Sequence, residues 1–255
     1  MLTTDGPVTV LVEDKVVSKP YVQMTIGVMG ACGIRVTEVS PDYYVVHCGM
    51  PQSSVIDIEA DASGMSYFLA AAAITGTKVV IPHIGAGSAQ GDVGFAKVLE
   101  KMGCELAITA DSITLTGMPL HGVDVDMDTM PDTVLTLAAV AALAKGPTRI
   151  TNIANLRVKE CDRIHAAATE LQRLGVDAEQ GPDFLIVRPT GAVKPAVVET
   201  YDDHRVAMCF AILGLLHPGI DIVNPHCVGK SFPGFWDELS RFQRHHNVAA
   251  VSAVA

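Results

Sequence analysis

Asp61-Ala-Ser-Gly-Met-Ser-Tyr-Phe-Leu-Ala-Ala-Ala-Ala-Ile-Thr-Gly76 begins with an aspartate, ends with a glycine and is otherwise mostly small or apolar. Similar stretches run from Asp132 to Gly146 and from Asp203 to Gly219, so that the three aspartates stand 71 positions apart in each case. Aspartate is a good helix N-cap and glycine is a good helix stop. The pattern therefore predicts three buried helices of about four turns each, placed at equivalent points of a repeat.

The repeat continues beyond these helices. Each is followed by a short β-type run, a polar loop, a second helix and two further strands; in the second copy Ile164, Leu171 and Leu174 lie on one face of that second helix. Self-similarity at a fixed period indicates a repeat architecture, here helix, strand, helix, strand, strand. Three copies are predicted over residues 60–119, 120–193 and 194–243, the last without its final strands, and residues 7–49 form the back part of a fourth.

Composition and charge exclude several classes of protein. With 49% hydrophobic and 18% charged residues in 255, the chain is not a disordered one. Aromatic residues make up only 5%, so the core must consist mostly of Ala, Val, Ile, Leu and Met. A net charge of −10 argues against a nucleic-acid or anionic-membrane surface. The longest apolar stretches, such as residues 134–144, are too short to span a bilayer, and the first residues do not resemble a secretory signal.

Cysteines and histidines show no metal-binding pattern. The six cysteines form no C-x-x-C pair, and we expect them to be reduced and mostly buried in a cytoplasmic protein. The nine histidines lack metal-type spacing, so we expect no metal site. Gly229-Lys230-Ser231 resembles the end of a phosphate-binding P-loop, but position 224 is Asn rather than Gly, which excludes that motif.

A lysine stands just before or at the start of a predicted helix in three copies, as Lys19, Lys159 and Lys230. Unpaired N–H groups and the helix dipole favour an anion at such a position. Rotation of the repeats would bring these ends to one face, where arginines can add bidentate contacts to carboxylate or phosphate. The expected basic pocket consists of Lys159, Arg163, Arg205 and Lys230.

Simpler interpretations of these residues stay open. N-capping accounts for Asp61, Asp132 and Asp203, and for Asp132 taken alone capping is favoured over a chemical role. The run Arg157–Arg163 also fits a solvated helix start with i,i+4 ion pairs. Taken alone, the residues predict an α/β repeat protein with a binding site for a multiply anionic small molecule.

Three motifs carry a resemblance to a known family. Arg157-Val-Lys-Glu-Cys-Asp-Arg163, Tyr201-Asp-Asp-His-Arg-Val-Ala-Met208 and the helix that begins at Asp61 together resemble the EPSP synthases, the 3-phosphoshikimate 1-carboxyvinyltransferases. The resemblance runs from about Val10 to Gln243. It implies an α/β, enolpyruvyl-transferase-like fold of two domains, each built from three βαβαββ units around a pseudo-threefold axis, with helix N-termini pointing into the cleft between them.

The same resemblance predicts the domain organisation. Residues 1–59 correspond to a partial unit of the N-terminal domain, residues 60–243 to a C-terminal domain of three repeat units, and residues 244–255 to a frayed tail. The family's opening segment of Lys-Ser-x-x-x-Arg type is absent from the chain, and most of the N-terminal lobe is missing. We therefore expect an exposed apolar surface within residues 1–59, since a single repeat unit cannot bury its own face.

The family's reaction implies the substrates. The 5-hydroxyl of shikimate 3-phosphate attacks C2 of phosphoenolpyruvate while C3 takes a proton, and phosphate leaves from a tetrahedral intermediate, as a step of aromatic amino-acid synthesis. The resemblance implies no metal and no organic cofactor, and neither nucleic acid nor membrane is expected as a partner. The missing N-terminal half is a candidate partner.

Roles for individual residues also come from the resemblance. Asp132 resembles the proton acceptor at the 5-hydroxyl, and a helix N-terminus would keep its carboxylate ionised; Glu160 resembles a candidate for proton transfer near C3. The residues that resemble ligands of shikimate 3-phosphate are Ser18, Tyr21, Asn155 and Lys159, together with Asp132. Those that resemble ligands of phosphoenolpyruvate are Arg163, Arg205 and Lys230, with His204 as a wall of that pocket.

Two other functions stay open at this point. The first is a non-catalytic module that binds an anion or a partner through the same pocket. The second is a sister enolpyruvyl transferase that acts on a UDP-sugar, although that enzyme uses a cysteine-containing loop in its N-terminal half and the motifs here fit EPSP synthase better. For the EPSP synthase function, we expect the chain alone to be an incomplete part that is weakly active or inactive.

Overall fold

The computed structural model describes residues 6–14, 16–52 and 55–247, and the backbone of residues 252–254. The chain divides into two compact units. The first comprises Met1–Glu59 with Ser88–Gly91, and the second comprises Ala60–Gly87 with Asp92–Ala255. The α/β class that the sequence predicts is confirmed.

The described part of the first unit is a three-stranded antiparallel sheet with one helix. Its elements are β1 (Val8–Leu11), α1 (Lys19–Ala31), β2 (Val36–Ser40) and β3 (Tyr43–Val46). The strand β3 lies in the middle, between β1 and β2.

Few apolar side chains of the first unit are covered. Among its described residues, the buried hydrophobic side chains are Ile34 and Tyr44, and α1 buries none of its residues. The large hydrophobic side chains that are exposed include Val10, Leu11, Val17, Val28, Val39, Met50, Val55, Ile56 and Ile58. The exposed apolar surface that the sequence predicts for residues 1–59 is thus confirmed for this part of the chain.

In the second unit, each of the three segments predicted to be copies of a repeat forms helices and strands. Residues 60–119 form α2 (Ala62–Thr75), β4 (Lys78–Pro82), α3 (Gly94–Lys101), β5 (Glu105–Ile108) and β6 (Ser112–Thr116). Residues 120–193 form β7 (Asp124–Asp126), α4 (Val134–Ala141), β8 (Thr148–Thr151), α5 (Arg163–Arg173), β9 (Asp177–Gln180) and β10 (Leu185–Arg188). The remaining elements are β11 (Ala196–Val198), α6 (His204–Leu213), β12 (Ile220–Val223), α7 (Phe235–His246) and β13 (Ser252–Val254).

Each copy has its own small sheet, with strand orders β4-β6-β5, β7-β8-β10-β9 and β11-β12-β13. In the second copy β7 pairs in parallel with β8, and the other pairs are antiparallel. The leading strand β7 makes this copy a full βαβαββ unit. In the third copy β11 is likewise parallel to β12.

The first helices of the three copies, α2, α4 and α6, pack against one another in the core of the second unit. Small residues line these helices and are buried, among them Ala70–Ala73, Ala138, Ala139, Ala141, Ala207 and Ala211. Small side chains let three helices approach closely and still fill the space between them. The core can therefore be built with few aromatic residues.

Two of these central helices are shorter than the sequence predicts. The helix α4 ends at Ala141 and α6 ends at Leu213, five and six residues before the glycines expected to stop them. After α4 the backbone tightens into i→i+3 bonds, and the N–H of Lys145 then bonds to the carbonyl of Leu120 at 2.8 Å. The N–H groups of residues 214–216 also bond three residues back. Such tightening satisfies the last carbonyls of a helix without extending it.

The three repeat aspartates are not equivalent. The carboxylates of Asp61 and Asp203 accept backbone N–H bonds from the first turns of α2 and α6, at 2.9 and 2.8 Å. Asp132 lies inside a 3₁₀ turn, Pro131–Thr133, and the N-cap of α4 is Thr133. The prediction that Asp132 is an N-cap is therefore wrong, because the proline-initiated turn moves the helix start past it.

The C-terminal segment is more ordered than the sequence predicts. The helix α7 continues through Arg244 to His246, and the ring of His246 lies 4.4 Å from that of the buried Phe242. Ser252–Val254 pair in parallel with β12. A frayed tail from residue 244 onward is thus a wrong prediction for these residues.

Cysteine burial is less complete than expected. All six cysteines are free thiols, but only Cys104 and Cys209 are buried, and Cys48 is exposed.

Among the helices of the described residues, none combines the length and the apolar character needed to cross a membrane.

Candidate active site

Charged side chains from five segments of the second unit lie together. One segment is the 3₁₀ turn Pro131–Thr133, and another is the loop that follows the 3₁₀ segment Ala154–Val158. The others are the starts of α5 and α6 and the end of the 3₁₀ segment Pro225–Lys230. We call the following residues the charged cluster: Asp132, Lys159, Glu160, Arg163, Asp203, Arg205 and Lys230. The four basic side chains expected to form a pocket, Lys159, Arg163, Arg205 and Lys230, thus lie together in the fold.

Asp132 lies among three cationic groups. One carboxylate oxygen is 2.8 Å from Nη2 of Arg205, and the other is 3.2 Å from Nη1 of Arg163 and 3.8 Å from Nζ of Lys159. Only 15% of the side chain is exposed. Because its carboxylate points to basic side chains of other elements, Asp132 belongs to the charged cluster.

Glu160 joins Arg163 to Lys230. Its two carboxylate oxygens lie 2.7 Å from Nη2 of Arg163 and 2.7 Å from Nζ of Lys230. Burial disfavours the ionised carboxylate, but the hydrogen bond from Lys230 and the charge of Arg163 outweigh it and lower the pKa of Glu160 to about 2. At neutral pH Glu160 is therefore ionised, and its carboxylate accepts one hydrogen bond from Arg163 and one from Lys230.

Arg163 is the first residue of α5, since Asp162 caps that helix by accepting the N–H of His165 at 3.0 Å. Its guanidinium is 2% exposed and makes a bidentate pair with Asp203, through Nε at 2.7 Å and Nη2 at 3.2 Å. Its two terminal nitrogens also hold the carboxylates of Asp132 and Glu160. One buried cation thus orients three carboxylates, and a ligand that binds Arg163 directly would have to displace one of them.

Asp203 therefore has two roles, as the N-cap of α6 and as the partner of Arg163. The sequence indicates the cap through the repeat, but the ion pair joins residues 40 positions apart. The thiol of Cys161 also lies 3.5 Å from Asp203, and burial together with that carboxylate raises the pKa of Cys161 to about 12. This thiol is protonated at neutral pH, so Cys161 is not a nucleophile here.

Arg205 lies in the first turn of α6 and is largely buried. Its Nη2 donates to Asp132 and its Nη1 lies 3.4 Å from the hydroxyl of Tyr67 on α2. Burial raises the pKa of Tyr67, so the phenol stays neutral beside the guanidinium. Tyr67 is a cluster contact that sequence reasoning missed, because within its helix it is indistinguishable from a core residue.

His204 is buried beside the cluster, with 3% of the residue exposed. Burial and the charge of Arg205 lower its pKa, so the imidazole is neutral at neutral pH. Its Nδ1 has no hydrogen-bond partner among the described residues, and Oδ1 of Asp203 is 3.8 Å away. These surroundings fit the predicted role of a pocket wall.

The other residues with predicted roles lie outside the ion pairs or in the other unit. Asn155 is in the 3₁₀ segment that precedes Lys159 and is half-buried. Ser18 and Tyr21 belong to the first unit, where Ser18 is the N-cap residue of α1 with φ 54° and its carbonyl accepts the N–H of Tyr21 at 3.0 Å. The structure thus brings six of the predicted site residues together in one cluster, with His204 adjacent: Asp132, Lys159, Glu160, Arg163, Arg205 and Lys230.

The arrangement can bind a multiply charged anion. Four cationic side chains face three carboxylates in the charged cluster, which leaves a local positive excess in a chain with a net charge of −10. Phosphate and carboxylate oxygens can accept the charge-assisted bonds that the cluster carboxylates now accept. Within the part of the chain that the structure describes, no group of three or more His, Cys, Asp or Glu side chains could hold a metal ion.

Comparison with known proteins gives consistent matches. The family model described as EPSP synthase (3-phosphoshikimate 1-carboxyvinyltransferase) matches residues 1–239. The chloroplastic 3-phosphoshikimate 1-carboxyvinyltransferase of Arabidopsis thaliana is 43% identical over 251 residues, which cover 94% of this chain and 48% of that protein. The enzyme of the same name from Vibrio atlanticus is 42% identical over 237 residues, covering 92% of this chain and 56% of that protein. The chain thus spans about half the length of these relatives.

Solved structures show the same fold. EPSP synthase from Acinetobacter baumannii matches with a TM-score of 0.79 and 27% identity, covering 94% of this chain and 57% of that one. The enolpyruvyl transferase NikO from Streptomyces tendae matches with a TM-score of 0.66 over 94% of this chain and 56% of that one; at 21% identity it supports the fold alone.

Proposed function

Because the chain belongs to the EPSP synthase family, we propose that it is the C-terminal part of a 3-phosphoshikimate 1-carboxyvinyltransferase. Such an enzyme transfers the enolpyruvyl group of phosphoenolpyruvate to the 5-hydroxyl of shikimate 3-phosphate and releases phosphate. The observation that carries the proposal is the charged cluster, in which Lys159, Arg163, Arg205 and Lys230 converge around Asp132 and Glu160.

Both substrates are anions, and the cluster offers cations to bind them. We assign the binding of phosphoenolpyruvate to Arg163, Arg205 and Lys230, with His204 as a wall of the binding pocket. Arg205 and Lys230 each hold a single carboxylate partner in the cluster, Asp132 and Glu160 respectively, so an incoming phosphate or carboxylate competes with one bond at each. On the family resemblance alone, we assign the binding of shikimate 3-phosphate to Ser18, Tyr21, Asp132, Asn155 and Lys159.

The acid–base groups follow from the same contacts. In the proposal Asp132 takes the proton of the 5-hydroxyl as that oxygen attacks C2 of phosphoenolpyruvate. C3 requires a proton in the same step, and Glu160, with a pKa of about 2, is ionised at neutral pH. We infer that Glu160 and Lys230 act as a pair, since the ammonium of Lys230 lies 2.7 Å from the carboxylate and can supply the proton.

The proposal includes a second polypeptide region. The chain spans about half of its relatives, and the first unit exposes the apolar side chains described above. We propose that the part of the enzyme equivalent to the relatives' remaining length covers this surface and completes the substrate cleft. We also propose the cytoplasmic location expected from the sequence, because free thiols suit a reducing compartment.

A titration followed by NMR tests the assignment of the anion site. Phosphoenolpyruvate added to the 255-residue chain should shift, saturably, the amide signals of residues 159–163, 203–205 and 230. Pyruvate, which lacks the phosphate, should shift them much less at equal concentration. As a protein control, Arg241→Ala changes an exposed arginine that pairs with Glu238 on α7 and should leave the titration unaltered. Shifts confined to other parts of the second unit would contradict the assignment.

A further inference from the structure

Glu170 is a buried carboxylate outside the charged cluster. It lies on α5, two turns after Arg163, and is fully buried, with 0% exposed. Its oxygens accept the hydroxyl of Tyr201 at 2.8 Å and the backbone N–H of Glu199 at 3.2 Å, and Nε of Arg173 lies 3.3 Å away. A buried charge is costly unless donors satisfy it. Two of the donors here come from a loop, so the carboxylate binds that loop to α5.

The loop that Glu170 binds has an unusual backbone. Tyr201 and Asp202 both have left-handed conformations, with φ of 55° and 56°. Residues with a side chain rarely adopt this conformation, and consecutive ones persist only where neighbouring groups hold them. The next residues along the chain are Asp203, His204 and Arg205. The turn therefore sets the backbone positions from which these side chains extend into the site.

A second hydrogen bond restrains the same turn and comes from the residue that follows β12. Nδ2 of Asn224 donates to the carboxylate of Asp202 at 3.0 Å. Asn224 is itself left-handed, with φ 48°, and is the N-cap residue of the 3₁₀ segment Pro225–Lys230. The turn therefore joins α5, α6 and the Lys230 segment.

We propose that Glu170 is a positioning residue for the anion site. Through Tyr201 and the N–H of Glu199 it holds the left-handed turn, and this turn fixes the positions of Asp203 and Arg205. The identity of the ligand that binds at this site rests on the proposed function, but the positioning role of Glu170 does not. The phenol of Tyr201 is a reliable donor, because burial and the bond to Glu170 raise its pKa to about 12.

Hydrogen exchange of the unliganded 255-residue chain tests the positioning. Tyr201→Phe removes only the hydroxyl of a half-exposed side chain, so the variant is expected to fold. Glu170→Gln keeps an acceptor of the same size but removes the charge. Tyr44→Phe is the matched control, since it removes a phenol that donates to the carbonyl of Pro41 in the first unit. The signal followed is the backbone amide of Arg205, which donates to Asp203.

We expect Tyr201→Phe to raise the exchange rate of the Arg205 amide roughly 10-fold or more, as for the loss of a hydrogen bond to a charged group. Glu170→Gln should give a smaller rise. Amides inside α6, from Ala207 to Leu213, should change less than twofold, as should all of them in Tyr44→Phe. An unchanged Arg205 amide would overturn the proposal. So would an equal acceleration throughout α6, because that is the result of a general loss of stability.

A second measurement separates this inference from the proposed function. Phosphoenolpyruvate is titrated into the wild-type chain and into Tyr201→Phe, and the affinity should fall roughly 10-fold in the variant. If the wild-type chain does not bind phosphoenolpyruvate, the proposed function fails while the exchange result still decides the positioning. If the wild type binds and Tyr201→Phe binds equally well, the positioning role fails and the proposed function stands.

Discussion

Arg163 organises the candidate site although it is itself almost inaccessible. Its guanidinium binds Asp203 through Nε and Nη2, Asp132 through Nη1 and Glu160 through Nη2. The two carboxylates with proposed acid–base roles are therefore held at a defined separation by one rigid, planar group. Arg205 contacts Asp132 and Lys230 contacts Glu160, each from another element. These two cations can most readily replace their carboxylate partner with a substrate anion.

The first residue-scale prediction concerns Arg205→Lys in the enzyme completed with the remaining half. Lysine keeps the charge but loses the planar fork that contacts both Asp132 and Tyr67. Loss of one charge-assisted hydrogen bond costs roughly 1.5–3 kcal/mol, so kcat/KM for phosphoenolpyruvate should fall by roughly 10- to 150-fold. Steady-state kinetics beside a melting curve gives the measurement. Arg241→Lys is the control, and a lowered Tm with unchanged kinetics would show that Arg205 only steadies the helix start.

The second residue-scale prediction is a pH dependence from Glu160. Its pKa falls from the ordinary 4.5 to about 2 in the folded chain, so its contribution to stability is complete above the unfolded value and is lost as the pH falls toward 2. Glu160→Gln should therefore destabilise the chain more at pH 6 than at pH 3, as measured by chemical denaturation. The exposed Glu100 supplies the control variant, Glu100→Gln. A destabilisation by Glu160→Gln that is equal at both pH values would refute this account of the ion pairs.

Spacing alone predicts four of the seven charged residues of the cluster, because it places Lys159, Arg163, Arg205 and Lys230 at helix starts that a repeat brings together. Asp132 and Glu160 are predicted as site residues by the family resemblance. Asp203 and Tyr67 could not be assigned in this way. Asp203 has a sufficient local explanation as a cap, and Tyr67 lies within a helix of buried residues. Their contacts with Arg163 and Arg205 join distant parts of the chain, and no local pattern encodes them.

At the scale of helices and strands, periodicity predicts the elements better than their ends. The repeat predicts every helix and strand of the first two copies except β7, which is only three residues long. The helix α4 ends before its glycine because the N–H of Lys145 bonds to the distant carbonyl of Leu120, and α6 ends before its glycine because residues 214–216 bond three residues back. The start of α4 was misplaced because Pro131 favours a separate 3₁₀ turn.

An element-scale prediction uses the difference between the repeat aspartates. Asp61 caps α2 by accepting the N–H of Ser63 at 2.9 Å, so Asp61→Ala should lower the free energy of unfolding by about 0.5–2 kcal/mol. Urea denaturation of the second unit measures it. Asp124→Ala, on the exposed side of β7, is the matched control and should change stability little. Equal stability of Asp61→Ala and Asp124→Ala would show that the cap contributes nothing.

At the scale of the whole molecule, the two units differ in how much of their apolar surface is buried. The second unit has a core formed by three central helices, whereas the described part of the first exposes much of its apolar surface. We predict that, in a proven monomer, hydrogen exchange is faster over residues 10–48 than over residues 130–216, because few buried contacts oppose local opening. Equal protection of the two ranges would mean that the first unit is stable without further covering.

The measurement that tests the central claim most directly is phosphate release from phosphoenolpyruvate and shikimate 3-phosphate. Half a cleft supplies neither full orientation of the substrates nor exclusion of water, so the purified 255-residue chain should release phosphate at the background rate. The same chain joined to a polypeptide equivalent to the relatives' first half should turn over at a rate approaching the ~10 s⁻¹ typical of enzymes. Turnover by the chain alone within about tenfold of that rate, or no gain on completion, would contradict the account.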